Sequence, residues 1–282
     1  MKLFSEHLSK HTTFKVGGPA DVLLIPETLE ELFKEIEYCR ANNTSFRVLG
    51  NGSNILVSDD GVRGYVIKLN KCCNHITLTN QNQIRVGAGV SLQSFIKFSI
   101  KNNLYGNEFL SSVPGTIGGA IFMNAGTWVD KNLYVSDFLT HVKYFDGSEI
   151  KTLTKDECSF SYRSSIFHKH EDWIILEACF NLPFQPSEVG EEKRKQRLEW
   201  SILYQDIKYP NAGSIFCQGN GRVFNLLKGI KWKNVGWSEK TGNWINIYGT
   251  SSSRDIYFLI KVGKLLHYLF LKKVKTEIRI WN

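Results

Sequence analysis

No G-x-G-x-x-G and no G-x-x-x-x-G-K-[ST] occurs anywhere in the 282 residues. The usual Rossmann and P-loop routes to a bound nucleotide are therefore excluded. The six cysteines (Cys39, Cys72, Cys73, Cys158, Cys179, Cys217) form no C-x-x-C pair and no cysteine–histidine spacing. No metal site is expected from them, and reduced thiols packed as small apolar residues are. The opening "MKLFSEHLSKH" has no apolar segment after its first lysine. A secretory leader is not expected there, and a soluble cytoplasmic protein is. Internal repeats and low-complexity segments are also missing, which excludes solenoids and arrays.

Acidic residues are scarce in one part only. Residues 1–183 hold 18 Lys and Arg against 19 Asp and Glu, whereas residues 184–282 hold 17 against 8, a net of +9. A phosphorylated small molecule, a nucleic acid or a membrane surface would each suit that excess, as would a solvated lysine surface. No basic–aromatic nucleic-acid motif accompanies it.

Charge of either sign is absent from Phe109 to Val129, a run containing "VPGTIGGAIFMNAG" at 113–126. Its length would suit a membrane span. Pro114, Gly115, Gly118, Gly119 and Gly126 break it too often for a lipid-facing helix. Backbone kept bare for a ligand is the other reading. A second glycine turn, "VLGNGSN" at 48–54, follows a strand and exposes consecutive N–H groups, as phosphate cradles do.

Around these turns the pattern alternates. "ADVLLIP", "FRVLG", "ILVSD", "GYVIKL", "HITLTN", "QIRVGAG" and "WIILEACFNL" read as strands, and "FLTHVKYFDGSEIKTL" as a hairpin about Asp146-Gly147. Thr28 and Glu31 are spaced as a capping box before a helix with Leu29, Leu32, Phe33 and Ile36 on one face. Leu92, Phe95, Ile96, Ser99 and Ile100 mark a second amphipathic helix, and Asp255–Leu271 a third, with Lys261 and Lys264 on its polar side. Composition shifts at Pro183–Pro186, which places a domain boundary there. "KTEIRIWN" reads as a closing strand.

Six segments occur in a recognisable order: "HTTFKVGGPAD", "LGNGSNIL", "EFLSSVPGTIGGAIFMNAG", "FSYRSSIF", "PNAGSIF" and "TEIRI". Together they resemble the UDP-N-acetylenolpyruvoylglucosamine reductases of bacterial cell-wall synthesis, the MurB family, in its shorter type II form. The resemblance implies an α+β chain. Residues 1–183 would form a FAD-binding fold of the vanillyl-alcohol-oxidase (PCMH) type with lobes near 1–70 and 71–183. Residues 184–282 would form a smaller α+β substrate domain, its last strand (274–282) returning to an active site between the domains.

The same resemblance assigns residues. Gly50, Asn51, Gly52, Ser53 and Asn54, with Pro114, Gly115, Ile117, Gly118, Gly119, Asn124, Ala125 and Gly126, would hold non-covalent FAD. NADPH would be the hydride donor. Arg163 matches the cation that stabilises an enolate, Ser214 the proton donor, and Glu277 the carboxylate assisting beside them. Tyr162, Gln205 and Gln218 would contact substrate, and Lys193–Arg197 would attract phosphates. A monomer acting on small molecules, with no nucleic-acid or membrane partner, is expected. The chain departs from the family at Cys217-Gln218-Gly219, where Lys-Asn-Pro or Lys-Arg-Pro is usual. A paralogue acting on another anionic substrate is the alternative.

Overall fold

A computed structural model describes residues 1–127 and 132–282. The last two positions of the uncharged run, Trp128 and Val129, lie outside the described residues. The strands are β1 (Lys2–His7), β2 (Pro19–Leu24), β3 (Phe46–Val48), β4 (Ile55–Val57), β5 (Val62–Ile67), β6 (Ile76–Asn80), β7 (Gln83–Gly87) and β8 (Gly126–Thr127). They continue as β9 (Leu133–Tyr134), β10 (Leu139–Phe145), β11 (Ile150–Thr154), β12 (Ile174–Asn181), β13 (Lys231–Trp232), β14 (Val235–Trp237), β15 (Ile245–Ile247) and β16 (Arg279–Trp281). The helices are α1 (Leu29–Ala41), α2 (Leu92–Lys101), α3 (Ile117–Phe122), α4 (Ser187–Tyr204), α5 (Gly221–Leu227) and α6 (Ser253–Leu269).

Side-chain caps fix where the helices begin. Thr28, Ser91, Thr116 and Ser252 each accept from the N–H three residues on, which satisfies a donor the helix leaves open. The box expected at α1 is half formed. Glu31 turns its carboxylate to the Glu27 N–H at 2.7 Å rather than to Thr28. In α2 all five residues of the apolar stripe are buried.

The chain divides into two compact units. The first holds Met1–Leu3, Val22–Asn51 and Gly64–Leu198. Its five-stranded sheet runs β11-β10-β12-β7-β6, antiparallel throughout. β12 is buried at six of its eight positions, as a central strand covered on both faces must be. β3 pairs in parallel with β5, Phe46–Val48 against Tyr65–Ile67. Phe95, Ile96, Ile117, Ile121, Phe167 and Phe180 are among the fully buried side chains of the core here.

The second unit holds Phe4–Asp21, Gly52–Arg63 and Glu199–Asn282. It contains the antiparallel sheet β13-β14-β15 and a parallel pair, β16 with β4. Phe14, Phe216, Trp237, Ile256 and Ile260 fill its core. By contacts the two units part at Leu198/Glu199, and two early segments group with the C-terminal unit. The cause is pairing: Ile55–Val57 bond to Arg279–Trp281. The closing strand is regular only over Arg279–Trp281, with a single bridge from Thr276 to Phe216 before it. α5 and β13–β15 are too short for periodicity to reveal.

Within the described residues the uncharged run is a 3-10 turn (Glu108–Leu110), the six-residue α3, and β8. No helix among the described residues is long and apolar enough to cross a membrane. None of the six cysteines forms a disulfide.

Candidate active site

The turn at 50–54 leaves β3 through Leu49, whose N–H bonds Ile67 O at 2.8 Å. After it, the backbone N–H groups of Gly50, Asn51, Gly52, Ser53 and Asn54 donate to no acceptor among the described residues. Five successive unpaired donors are costly unless water or an anion meets them, and such concave runs bind phosphate. Gly52 has φ +63°, and a Cβ there would lie 2.3 Å from His11 O. Thr13 grips Gly52 O through its N–H (3.1 Å) and its hydroxyl (3.3 Å). A Cβ on Gly50 would meet Thr116 Oγ1 at 2.6 Å. The Asn51 amide donates to Gly115 O at 3.3 Å, tying this turn to the second glycine segment.

In that segment Pro114 is exposed, and the N–H groups of Gly115 and Thr116 are likewise unmatched among the described residues. Ile117 is fully buried and anchors α3 in the core. The two central glycines differ. Gly118 presses on Ala88: its N–H bonds Ala88 O at 2.9 Å, and a Cβ would lie 3.1 Å from Ala88 Cβ. Its bareness serves helix packing. Gly119 is exposed, and a Cβ there would meet only Thr116 Oγ1, at 3.4 Å.

At the end of α3, Asn124 takes φ +43° and is buried. Its Nδ2 donates to Ser161 O at 3.0 Å, while its Oδ1 is buried without a partner among the described residues. Ala125 continues toward β8, its N–H on Ala120 O at 2.8 Å. A buried amide oxygen left open is an acceptor awaiting a donor.

Ser161 and Ser164 bridge each other and place Tyr162 and Arg163 at the tip of a tight turn. Arg163 takes φ +54°, unusual for a residue with a Cβ. Its Nη1 and Nη2 both donate to Gly126 O at 3.3 Å, and its guanidinium stands 5.3 Å from the centre of the Tyr162 ring. The Gly126 carbonyl thus fixes where the Arg163 guanidinium lies, a planar cation of the kind that recognises carboxylates.

The other two candidates lie in the second unit. Gly213, at φ +70°, turns the chain into the extended segment that Ser214 begins. Ser214 bridges Trp244, and Ile215 N–H bonds Asn243 O at 2.8 Å. The Ser214 hydroxyl is half-buried and bonds nothing among the described residues. On the other side, Glu277 N–H bonds Ile215 O at 2.8 Å, and Cys217 N–H bonds Lys275 O at 3.0 Å. Asn54 closes the circuit: its Nδ2 donates to Glu277 O at 3.2 Å, and its own carbonyl accepts from Arg279 N–H at 3.0 Å. Asn54, the Ser214 segment and the closing strand are thereby joined by hydrogen bonds. Gln205 is turned inward, its Oε1 accepting from Ser201 Oγ, while Gln218 is exposed.

Three residues of this architecture escaped the reading of the sequence. Asn243 bonds both polar groups of Phe216, accepting from its N–H at 2.9 Å and donating to its carbonyl at 2.8 Å. It replaces a missing strand neighbour and fixes the Ser214 segment. Thr13 and Thr116 hold the two glycine turns. For Thr116 the signal was present, a threonine opening a helix before Ile117 and Gly118. Asn243 left none.

These features suit a dinucleotide cofactor. Within the first unit, the unpaired donors of Gly50, Asn51, Gly115 and Thr116 suit a pyrophosphate, and the Asn124 oxygen suits a ring N–H. The comparisons agree. Residues 20–150 match the family described as FAD binding domain. The chain is 38% identical to the UDP-N-acetylenolpyruvoylglucosamine reductase of Carboxydothermus hydrogenoformans, covering 99% of this chain and 93% of the relative. It is 34% identical to that of Bacillus pumilus, with the same coverage. The crystal structure of the reductase (MurB) from Thermus caldophilus superposes with a TM-score of 0.83 at 30% identity, over 100% of this chain and 98% of that one. With 34–38% identity to these reductases over nearly the whole of both chains, this chain belongs to the UDP-N-acetylenolpyruvoylglucosamine reductase (MurB) family of FAD-dependent oxidoreductases.

Proposed function

We propose that the chain reduces the enolpyruvyl ether of UDP-N-acetylglucosamine enolpyruvate to UDP-N-acetylmuramate, consuming NADPH. FAD, when bound, would supply the hydride chemistry, with NADPH as the source of the hydride. Backbone N–H groups of Gly50–Asn54 and Gly115–Thr116 would hold the cofactor's phosphates, and Gly119, Asn124, Ala125 and Gly126 would lie beside its ring.

Hydride arrival at the methylene carbon pushes the double-bond electrons onto the neighbouring carbon and its carboxylate. Arg163 takes up that charge, its guanidinium positioned by Gly126 O and Tyr162. Ser214 then gives its hydroxyl proton to the carbon, which completes the addition of one hydride and one proton. Glu277, on the segment bonded beside Ser214, assists in restoring that proton from solvent. Residues 1–183 supply the flavin site, and Tyr162 from that part joins Gln205 and Gln218 from 184–282 in contacting the substrate. The enzyme works as a cytoplasmic monomer on small molecules, without a nucleic-acid partner.

The observation that carries this reading is the set of bonds joining Asn54, Ile215, Glu277 and Arg279. It brings the proposed acid and its carboxylate onto adjacent segments of the second unit, beside one half of the phosphate turn. The test is stopped-flow absorbance. Protein reduced with NADPH is mixed with the UDP-enolpyruvyl sugar, and the oxidised flavin spectrum should return. Reduced flavin that this sugar does not reoxidise would transfer the assignment to a paralogue with another anionic substrate. The altered Cys217-Gln218-Gly219 would then be the first place to look.

A further inference from the structure

The outer face of α6 sets large apolar residues around Lys261 and Lys264, where water should favour polar ones. Ile256, Leu259, Ile260 and Gly263 face the core. On the opposite side Tyr257, Phe258, Leu265, Tyr268 and Leu269 are exposed, Tyr268 to 73%. Phe270 and Leu271 extend this surface past the helix end, and Leu271 is 97% exposed. Contiguous exposed apolar groups of this size mark a surface that meets something.

The way the helix stops adds a second observation. Lys272 N–H bonds His267 O and Leu271 N–H bonds Tyr268 O, each at 2.9 Å, with Leu271 at φ +54°. This is the Schellman ending, in which glycine normally fills the left-handed position. A leucine there strains the backbone and gains no burial in return. Its side chain contributes nothing to the fold that glycine would not.

Charge identifies the partner. Residues 256–275 contain Lys261, Lys264, Lys272, Lys273 and Lys275 and no Asp or Glu. The acidic residue before them, Asp255, is bonded by Lys233 Nζ at 2.7 Å and Trp232 Nε1 at 3.2 Å. A second copy packed on this face by a two-fold axis would set lysines against lysines. We propose that the C-terminal end of α6 docks on an anionic bilayer surface. Leu269, Phe270 and Leu271 enter the acyl boundary, Tyr268 lies at headgroup level, and the lysines meet lipid phosphates. With 17 residues and internal lysines, α6 rests on the bilayer and does not span it.

Vesicle flotation of the flavin-loaded enzyme tests this. Vesicles with about one-third phosphatidylglycerol in phosphatidylcholine should bind it, pure phosphatidylcholine should not, and salt should release it. Each lysine near the surface is worth about fivefold, so Lys272→Ala with Lys273→Ala should weaken binding roughly thirtyfold. Leu271→Gly should also weaken binding while the unfolding temperature stays the same or rises, which separates a lost anchor from a damaged fold. Reductase turnover on the soluble substrate should not change in either variant. Failure to bind anionic vesicles, or binding indifferent to both variants, overturns the proposal. So does a dimer in sedimentation equilibrium that Leu271→Gly dissolves, since the face would then belong to a second copy.

Discussion

Ser214→Ala separates chemistry from folding with unusual clarity, because the structure sets its two costs far apart. The hydroxyl is half-buried and makes no bond among the described residues. Its removal breaks no hydrogen bond and opens no cavity. The segment keeps its shape through Ile215 N–H on Asn243 O and through the Asn243 side chain on Phe216. The expected loss of stability is within about 0.5 kcal/mol, as for other surface changes away from special features. The loss in the second half-reaction is that of a general acid, ~10²–10⁴-fold. In barrier terms this is about 3–5 kcal/mol, an order of magnitude above the folding cost. Stopped-flow absorbance measures the two halves separately. Flavin reduction by NADPH should proceed at the wild-type rate, and only reoxidation by the UDP-enolpyruvyl sugar should slow. Ser214→Cys should recover part of the loss, since a thiol also carries a proton. Wild-type reoxidation by the alanine variant would refute the assignment of Ser214 as acid. A slowed reduction step would refute the claim that the serine acts only after hydride leaves the flavin.

Gly119→Val adds a branched side chain on the open side of α3, where a Cβ meets little in the protein itself. Thermal stability should hold, while FAD affinity should fall about ten- to a hundredfold, the cost of about 1–3 kcal/mol for a steric misfit, measured by fluorescence titration of the apoprotein. Unchanged affinity would remove α3 from the flavin site. Asn243→Ala removes both bonds to Phe216 and leaves two main-chain groups short of partners, so about 2–3 kcal/mol of stability should be lost in urea unfolding. Its kcat should fall more than its KM rises, because Ser214 is mispositioned, not absent; an unaffected kcat would limit Asn243 to a structural role. The Asp255 carboxyl is held below the ordinary carboxylate range, first by its bond to Lys233 and then by Ser252 and Trp232. A depressed folded-state pKa stabilises the protein at neutral pH, and that contribution fades as pH falls below the unfolded value of about 4. Asp255→Asn should therefore lower the melting temperature at pH 7 and converge with wild type in acid; a constant difference across pH would contradict the ion pair's role.

Local chemistry made much of this protein legible before any coordinates. The α2 stripe, the strands β2 to β7 and the strands β10 to β12 stand where alternation and helical spacing put them, because one buried face imposes its period on the chain. The glycine turns were visible since bare backbone is a local property. What each glycine is for was not: Gly118 meets Ala88 and Gly119 meets almost nothing, a difference created by packing of α3 on residues thirty positions away. The placement of Gly52–Arg63 with the C-terminal unit depends on β4 pairing with β16, more than two hundred residues later. No local pattern encodes that partner. The same holds for Asn243, whose amide acts as a strand edge only once Phe216 lies beside it. The apolar outer face of α6 was read in sequence as one helix with a lysine side, because apolar residues occur on both of its faces. Only the packed structure decided which face the core takes, and which is left to water.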